Sequence, residues 1–294
     1  MKISRVILAV ALVATGTSLQ AQTDVGPQVI TQNPNPTAAP VKAPLPAKPA
    51  PQYTYNSIYT TEPVIAITFD DGPAAKLTPQ LLDLLKEHNI KATFFVLGQM
   101  VEQNPDILRR AAAEGHEIAS HTWDHKALNR ISAEAVASEL SRTTQIITEV
   151  TGKKPTLMRP PYGATNPALN KRIYEEFGQK VILWSVDPFD WKNPGSAVIT
   201  SRILSQTQPG GIILSHDIHA GTIKAMPDTL DQLKAKGYRF VTVSELLSMD
   251  KGPAPKPLAT PKPAAQGVHS KGASAKGAAS ATPAESQAPV TPNP

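Results

Sequence analysis

The chain of 294 residues is 40% apolar, which is enough for one large domain or two ordinary ones with a sizeable buried core. It contains no cysteine, so disulfide bonds, thiolate metal ligands and a thiol nucleophile are excluded. The formal net charge is +5, yet residues 63–250 carry 20 basic against 21 acidic side chains, and residues 251–294 carry five against one. The basic charge therefore lies mostly in the C-terminal tail, which argues against a nucleic-acid-binding domain.

Residues 1–21 have the pattern of a secretory signal peptide. Two basic residues, Lys2 and Arg5, precede an apolar run over 6–14 that is too short to span a bilayer. No other stretch approaches 18 consecutive apolar residues, so we expect no transmembrane segment. The sequence thus predicts an exported protein, periplasmic or secreted, that is associated with the cell envelope.

Two segments rich in Pro and Ala, at 22–55 and 251–294, flank the rest of the chain. They hold 17 of the 29 prolines and bury too little apolar surface to offset the entropy of ordering, about 1–2 kcal/mol per residue. We expect both to be disordered spacers around one monomeric domain at residues 56–250. The basic tail either makes weak contact with an anionic envelope polymer or only aids solubility.

Within the expected domain, short apolar runs alternate with amphipathic segments. The apolar runs predict seven strands, at residues 64–69, 92–98, 116–120, 156–159, 180–186, 211–216 and 239–243. Helical patterns cover residues 77–89, 104–115 and 132–152. This alternation predicts an α/β fold with parallel strands. A barrel or partial barrel is favoured over an open sheet, because no dinucleotide-type glycine loop follows the first strand.

The polar motifs fall where the predicted strands end. In chain order they are "TFDDGP" (68–73), "SHTWDH" (120–125), "RPPYG" (159–163), "VDPFDW" (186–191) and "LSHDIH" (214–219). In barrels the chemistry takes place at the carboxyl ends of the strands. We therefore expect these side chains to meet at one end of the barrel.

One carboxylate and two imidazoles among these motifs could bind a metal. Taken alone, Asp70 and Asp71 could merely form a turn, and two histidines four residues apart are more often a chance surface pair. At the start of a helix, however, His121 and His125 would share one face, one turn apart. With an aspartate they would make a three-ligand site with room for water, which suits Zn²⁺ or another divalent ion.

In this order, the five motifs resemble those of the polysaccharide deacetylases with the NodB homology domain, carbohydrate esterase family 4. The resemblance covers roughly residues 60–250. It implies a distorted (β/α)7 barrel and metal-dependent removal of N-acetyl or O-acetyl groups from sugars. Zn²⁺ is the expected ion, and Co²⁺ is the alternative.

The resemblance also implies roles for single residues near the expected metal. Asp70 matches the catalytic base, and Arg159 matches the residue that orients this base. Asp71, His121 and His125 match the metal ligands. The chemistry is consistent with these residue types, because a carboxylate that is not bound to the metal is needed to take the proton of the attacking water.

The remaining matches concern the oxyanion, the leaving group and the acetyl methyl. Tyr162 matches the residue whose backbone N–H helps to bind the oxyanion. His216 matches the catalytic acid and Asp190 its partner, and a histidine can supply the proton that the leaving amine needs. Trp191 and Leu214 match the apolar wall around the methyl group. The other histidines are expected to be structural or at the rim: His88, His116, His219 and His269.

Other functions and substrates stay open at this point. Two histidines and one carboxylate also bind iron in non-haem oxygenases, and a non-catalytic cell-wall-binding protein would need neither Asp70 nor His216. For an enzyme, the expected export, the spacers and the resemblance of "DPFDW" and "HDIH" to peptidoglycan-type members of the family favour N-acetylglucosamine residues of peptidoglycan. Chitooligosaccharides or poly-N-acetylglucosamine come next as substrates, and acetylated xylan comes last.

Overall fold

The computed structural model describes residues 51–252 of the chain. The expected signal peptide at 1–21, the linker as far as residue 50, and the tail from residue 253, which includes His269, lie outside the described residues. Within residues 51–252, no helix combines the length and the apolar character that crossing a membrane requires.

Strands and helices alternate along the described part of the chain. The strands are β1 (Thr54–Tyr55), β2 (Val64–Asp70), β3 (Thr93–Val96), β4 (Glu117–Ser120), β5 (Leu157–Met158), β6 (Lys180–Ile182), β7 (Ile212–His216) and β8 (Arg239–Phe240). The α-helices are α1 (Leu77–Glu87), α2 (Gly98–Gln103), α3 (Pro105–Ala113), α4 (Ala133–Thr151), α5 (Pro167–Phe177), α6 (Ser196–Gln206), α7 (Ala220–Ala235) and α8 (Val243–Ser248).

Most predicted elements are confirmed. Strands β2 to β8 fall on the seven apolar runs, although β5, β6 and β8 keep only two or three residues in the sheet. The helices predicted at 77–89, 104–115 and 132–152 are α1, α3 and α4. Strand β1 was not predicted, and it lies inside the segment 22–55 that we expected to be a linker.

The strands form a barrel that closes through the continuation of β6. The sheet order is β1–β6–β5–β4–β3–β2–β7, and β8 pairs with the beginning of β2. Beyond β6, the chain runs beside β7, where Val186 and Ile213 form a parallel bridge and Leu214 N donates to Val186 O at 2.9 Å. The pairings between the named strands are all parallel. The distorted α/β barrel that we expected is therefore confirmed.

Strand β2 shows how the sequence divides the core into two layers. All seven of its residues are buried, because helices cover one face and the barrel interior receives the other. Ile65, Ile67 and Phe69 pack with residues of the surrounding helices, whereas Ala66 belongs to the interior cluster. Since side chains alternate along a strand, Asp70 points the same way as Ala66, into the carboxyl end of the barrel.

Helix α4 begins and ends where its sequence indicates. Ser132 Oγ accepts a hydrogen bond from Ala135 N at 3.2 Å, and alanine at that position cannot complete a capping box. Gly152 ends the helix with a left-handed backbone at φ 72°. The helix packs against α2, α3 and β4, so it lies beside the loop that follows β4.

We expect residues 51–252 to fold on their own, and residues 57–252 to fold with lower stability. The shorter chain lacks β1 and the hydrogen bonds from Val181 N to Tyr53 O at 2.9 Å and from Leu183 N to Tyr55 O at 2.7 Å. At about 1 kcal/mol for each bond, the free energy of unfolding should fall by roughly 1–3 kcal/mol. Urea unfolding of both chains measures the difference. Equal midpoints would show that β1 does not stabilise the fold.

Candidate active site

The first motif places two aspartates at the end of β2. Asp70 is the last residue of the strand and pairs in register with His216 of β7. Asp71 has a left-handed backbone at φ 76°, so its side chain does not alternate to the opposite face, and both carboxylates line one cavity. Gly72 follows, and a Cβ at this position would overlap the carboxylate of Asp217. The glycine of the motif is therefore required by close packing.

The loop after β4 carries both candidate histidine ligands, and it is not helical. The expectation that His121 and His125 lie one turn apart on a helix is wrong, because residues 121–125 form an irregular loop. Thr122 and His125 have left-handed backbones at φ 72° and 67°, a conformation that costs a non-glycine residue about 1–2 kcal/mol. The imidazole centroids of His121 and His125 nevertheless lie 5.0 Å apart.

Asp71, His121 and His125 present three potential ligand atoms within 4.8 Å of one another. Asp71 Oδ1 lies 3.4 Å from Nε2 of each histidine, and this buried oxygen has no hydrogen-bond partner within the described residues. His121 Nδ1 donates to the carbonyl oxygen of Arg159 at 2.7 Å, because a carbonyl can only accept. With Nδ1 as the donor, Nε2 is the ring atom directed at Asp71, an arrangement that fits a divalent cation.

The charges at this cluster are also those of a cation site. Burial raises the pKa of Asp71, but the nearby His121 and His125 outweigh burial and lower that pKa to about 2. The carboxylate is therefore ionised at neutral pH. Burial, reinforced by the neighbouring His121, lowers the pKa of His125, which favours the neutral imidazole that binds metals. One carboxylate oxygen and two imidazole nitrogens suit zinc and other first-row divalent ions.

Asp70 is held in place by Arg159, which is fully buried. The guanidinium NH1 donates to Asp70 Oδ1 at 2.6 Å and to Thr68 Oγ1 at 2.8 Å. Nε and NH2 donate to the carbonyl oxygens of Ile182 and Leu183, each at 3.2 Å. A buried ion pair needs such additional partners to offset its desolvation. The contact fixes Asp70 Oδ1 and leaves Oδ2 outside the ion pair.

His216 is held in the same manner by the buried Asp190. His216 Nδ1 lies 2.8 Å from Asp190 Oδ1, while Asp190 Oδ2 accepts from His216 N at 2.8 Å and from Thr222 Oγ1 at 2.7 Å. Burial raises the pKa of Asp190, but the hydrogen bond from His216 outweighs it and holds that pKa below its usual range. Burial lowers the pKa of His216, and the bond and charge of Asp190 outweigh this and raise it to about 9.

These groups meet at one cavity of about 430 Å³. Arg159 and Asp190 lie buried behind it, where they contact Asp70 and His216. The cavity is lined by Asp70, Asp71, His121, His125, Pro160, Tyr162, Trp184, Asp187, Trp191, Leu214 and His216. The structure thus brings together all ten residues that we singled out from the sequence, eight as lining and two as buried supports.

Two aromatic residues form the exposed rim of the cavity. Tyr162 is 72% exposed and Trp191 is 48% exposed. Tyr162 has a left-handed backbone at φ 61°, and its ring meets that of His125 edge-on, with centroids 4.6 Å apart. Within residues 51–252, its backbone N–H has no acceptor in the protein. Leu214 adds an apolar wall from β7.

The other described histidines do not line the cavity. The ring of His219 lies 5.8 Å from that of His216, a position just outside the lining. His88 pairs with Asp231 at 3.3 Å on the surface. His116 is buried, and burial lowers its pKa to about 4. The expectation that these residues are structural or at the rim agrees with their positions.

Five residues of the site were given no role from the sequence. Thr68 supports Arg159, and it lies two residues before Asp70, so strand alternation could have identified it. Trp184, Pro160 and Asp187 line the cavity. Trp184 lies inside the predicted strand at 180–186, and Pro160 and Asp187 directly follow predicted strands. Thr222 contacts Asp190 across 32 residues of sequence, and no local pattern indicates such a contact.

Known proteins match the chain over this region. Residues 57–182 match the family model described as "Polysaccharide deacetylase". Over 182 residues, the chain is 47% identical to the peptidoglycan-N-acetylglucosamine deacetylase PgdA of Listeria monocytogenes, a match that covers 62% of this chain and 38% of that relative. The chain thus spans well under half the length of this relative.

Two further matches extend over most of the length of the known protein. The chitooligosaccharide deacetylase of Rhizobium leguminosarum bv. trifolii is 39% identical over 185 residues, which cover 63% of this chain and 83% of that relative. The crystal structure of the Bc1960 peptidoglycan N-acetylglucosamine deacetylase, in complex with 4-naphthalen-1-yl-N-oxidanyl-benzamide, has a TM-score of 0.65 and 36% identity and covers 68% of this chain and 95% of that one. The fold, the five motifs and these matches agree, and the chain belongs to the polysaccharide deacetylase family.

Proposed function

We propose that the chain is a metal-dependent polysaccharide N-deacetylase that acts on N-acetylglucosamine residues of peptidoglycan. The observation that carries the proposal is a single cavity in which a fixed carboxylate, Asp70, and an imidazole paired with Asp190, His216, lie beside three candidate metal ligands. An acid, a base and a cation together suit amide hydrolysis, because an amide is a poor electrophile with a poor leaving group.

Asp70 is the proposed general base. Its Oδ1 is engaged by Arg159 at 2.6 Å, so Oδ2 is the atom available to take a proton from the attacking water. Asp71, His121 and His125 would hold the cation, which is Zn²⁺ by preference and Co²⁺ as the alternative. When bound, the cation would make water more acidic and polarise the acetyl carbonyl. Separate aspartates serve the two tasks, since a carboxylate that ligates a cation is a weaker base.

His216 is the proposed general acid. Asp190 holds Nδ1 at 2.8 Å and raises the pKa of the ring to about 9 against the effect of burial, so the imidazole carries its proton at neutral pH. Nε2 has no hydrogen-bond partner within the described residues and can give its proton to the leaving amine. The amine then departs in neutral form rather than as an unstable anion.

The rim residues have proposed roles in substrate binding. The free backbone N–H of Tyr162 supports a part in stabilising the tetrahedral oxyanion, where a fixed donor acts without reorganisation. Trp191 offers a flat apolar face to a pyranose ring, and Leu214 would contact the acetyl methyl.

Peptidoglycan is the proposed substrate because it agrees with the named relatives and with the expected export. Two of the three matches described above act, by name, on N-acetylglucosamine of peptidoglycan. The third is named for chitooligosaccharides, which makes these oligomers the second candidate. Poly-N-acetylglucosamine stays a further possibility, and acetylated xylan is less favoured.

We also propose how the chain is organised in the cell envelope. Residues 1–21 would direct export to the periplasm or beyond, and the flanks at 22–55 and 251–294 would act as spacers. The catalytic domain at 56–250, extended by β1, would work as a monomer. The basic tail would add a weak contact with an anionic envelope polymer.

Replacement of the base tests the division of roles between the two aspartates. Asp70→Asn keeps the shape but cannot accept the proton, so kcat should fall by about 10²–10⁴-fold while zinc content stays unchanged. Asp71→Asn and His125→Ala should lose zinc as well as activity. Acetate release and elemental analysis of the purified variants give both quantities. Near-normal turnover of Asp70→Asn, or its loss of zinc, would mean that the two aspartates are misassigned.

The proposed general acid, His216, should determine the alkaline limb of the pH profile of kcat/KM. Because His216 acts in its protonated form, kcat/KM should decline as pH rises through its pKa. Asp190→Asn removes the charge that raises this pKa, so the alkaline limb should shift to lower pH by about 1–3 pH units. A bound cation would lower the pKa in both enzymes, and the difference between them is therefore the quantity to measure. An alkaline limb at the same pH in both enzymes would exclude this pair as its source.

The substrate is tested by mass spectrometry of enzyme-treated peptidoglycan after glycan digestion. We expect muropeptides that have lost one acetyl group on each modified N-acetylglucosamine, with acetate released in equal amount, and slower release from chitooligosaccharides. Unchanged muropeptides with good hydrolysis of chitin oligomers, poly-N-acetylglucosamine or acetylxylan would refute the peptidoglycan assignment. Tight binding to the wall with no acetate from any glycan would favour the non-catalytic protein instead.

A further inference from the structure

Glu139, in the middle of α4, is a buried carboxylate that the proposed chemistry does not use. Its residue is only 5% exposed. A buried carboxylate is unfavourable unless hydrogen bonds or charges compensate for its lost hydration. The partners of Glu139 therefore indicate what it does in the molecule.

The partners of Glu139 lie in and just after the loop that carries the two histidine ligands. Glu139 Oε2 accepts from Trp123 N at 2.8 Å and from Asp124 N at 3.2 Å. Glu139 Oε1 accepts from Lys126 Nζ at 3.3 Å. Two of the three donors are the backbone N–H groups between His121 and His125, so the carboxylate binds the loop at its centre.

The opposite side of the same loop is bound by α2. Gly98 N donates to Thr122 O at 3.0 Å, and Gln99 N donates to Trp123 O at 3.1 Å. The ring of Trp123 packs so closely on Gly98 that no Cβ could be accommodated there. The carbonyl groups of Thr122 and Trp123 are thus satisfied by α2, while the N–H groups of Trp123 and Asp124 depend on Glu139.

The loop needs this support because its backbone is unfavourable. Thr122 and His125 are left-handed, and a β-branched residue such as Thr122 rarely adopts that conformation. The loop satisfies the N–H of His125 itself, through Thr122 Oγ1 at 3.2 Å. The N–H groups of Trp123 and Asp124 find their acceptor outside the loop, on Glu139. Charge-assisted bonds to backbone N–H groups are about twice as strong as neutral ones, so a carboxylate is well suited to this position.

We propose that Glu139 is a positioning residue that holds the 121–125 loop in the conformation that binds the metal. The inference rests on the proposed function, since it takes Asp71, His121 and His125 as the ligands. Glu139 does not line the cavity, so its proposed effect on the cation is indirect. It acts by keeping the two imidazoles together before the cation arrives, so that binding does not have to order the loop.

Zinc affinity of the full-length protein is the first measurement. The protein is stripped of metal, and zinc is titrated in competition with a chromophoric chelator. Glu139→Ala should weaken zinc binding by about 10–100-fold, as for other groups that orient metal ligands. Glu139→Gln keeps one acceptor oxygen without the charge and should weaken it by about 3–10-fold. If Glu139→Ala does not fold, Glu139→Gln decides alone.

The matched control is Glu149→Gln on the same helix. Glu149 is exposed and, among residues 51–252, accepts only from Gln145 Nε2, one turn away, at 2.8 Å. The zinc affinity of the Glu149→Gln protein should equal that of the unmodified protein. If Glu149→Gln weakened zinc binding as much as Glu139→Gln does, the effect would be a general one of charge on α4, and the proposal would be overturned.

Amide hydrogen exchange of the metal-free protein is the second measurement. The amides of Trp123 and Asp124 should exchange faster in Glu139→Gln than in the unmodified protein, whereas amides of β2 should not change. The proposal requires both the weaker zinc binding and the faster exchange. A folded Glu139→Gln protein in which either quantity is unchanged would overturn it.

Both measurements are made without substrate, so they are independent of the proposed reaction. A protein that binds zinc through this loop but releases no acetate would refute the proposed function and leave the inference intact. Where acetate is released, Glu139→Gln should need more zinc to reach the same maximal rate. A maximal rate that stays low at saturating zinc would contradict a role limited to holding the loop.

Discussion

The buried residue Arg159 makes the contacts on which the rest of the site depends. Its side-chain NH1 fixes Asp70 at 2.6 Å, and its backbone carbonyl accepts the Nδ1 proton of His121 at 2.7 Å. One residue therefore sets the direction of the proposed base and the tautomer of a proposed metal ligand. Loss of its side chain would leave Asp70 as an unpaired buried charge, which usually costs about 3–5 kcal/mol. Lysine could not replace it, because a single ammonium lacks the planar fork of donors with which the guanidinium reaches several separate acceptors.

Around this contact, strand register and loop contacts contribute in different ways. Parallel pairing of β2 with β7 places Asp70 opposite His216, and residues opposite each other in a sheet point to the same face. The two proposed proton-transfer groups are thus brought together by the sheet itself. Their orientation, however, is set by groups from elsewhere in the chain. Asp190, from the segment after β6, and Thr222, at the start of α7, together fix the imidazole.

This difference explains what the sequence could predict. The strands and the grouping of motifs followed from apolar periodicity, because parallel strands bring their carboxyl ends together whatever loops follow. The barrel followed from the missing dinucleotide-type glycine loop and from the family resemblance. The helix expected at His121 was wrong because a spacing of four residues fits both a helical turn and a folded loop. Only distant partners decide between the two, among them Glu139 and the N–H groups of α2. Thr222 and strand β1 were not predicted for the same reason, since their partners lie far away in sequence.

Backbone strain is concentrated in the loops that line the cavity. Within residues 51–252, seven non-glycine residues have left-handed backbones, and five belong to the motif loops: Asp71, Thr122, His125, Tyr162 and Phe189. At roughly 1–2 kcal/mol each, such conformations persist only where surrounding contacts overdetermine them. A loop that was free to relax would lower its backbone energy and separate the ligand atoms. The buried polar groups behind the cavity therefore stabilise side-chain positions that the loops would not keep by themselves, and they are as necessary to the site as the groups that line it.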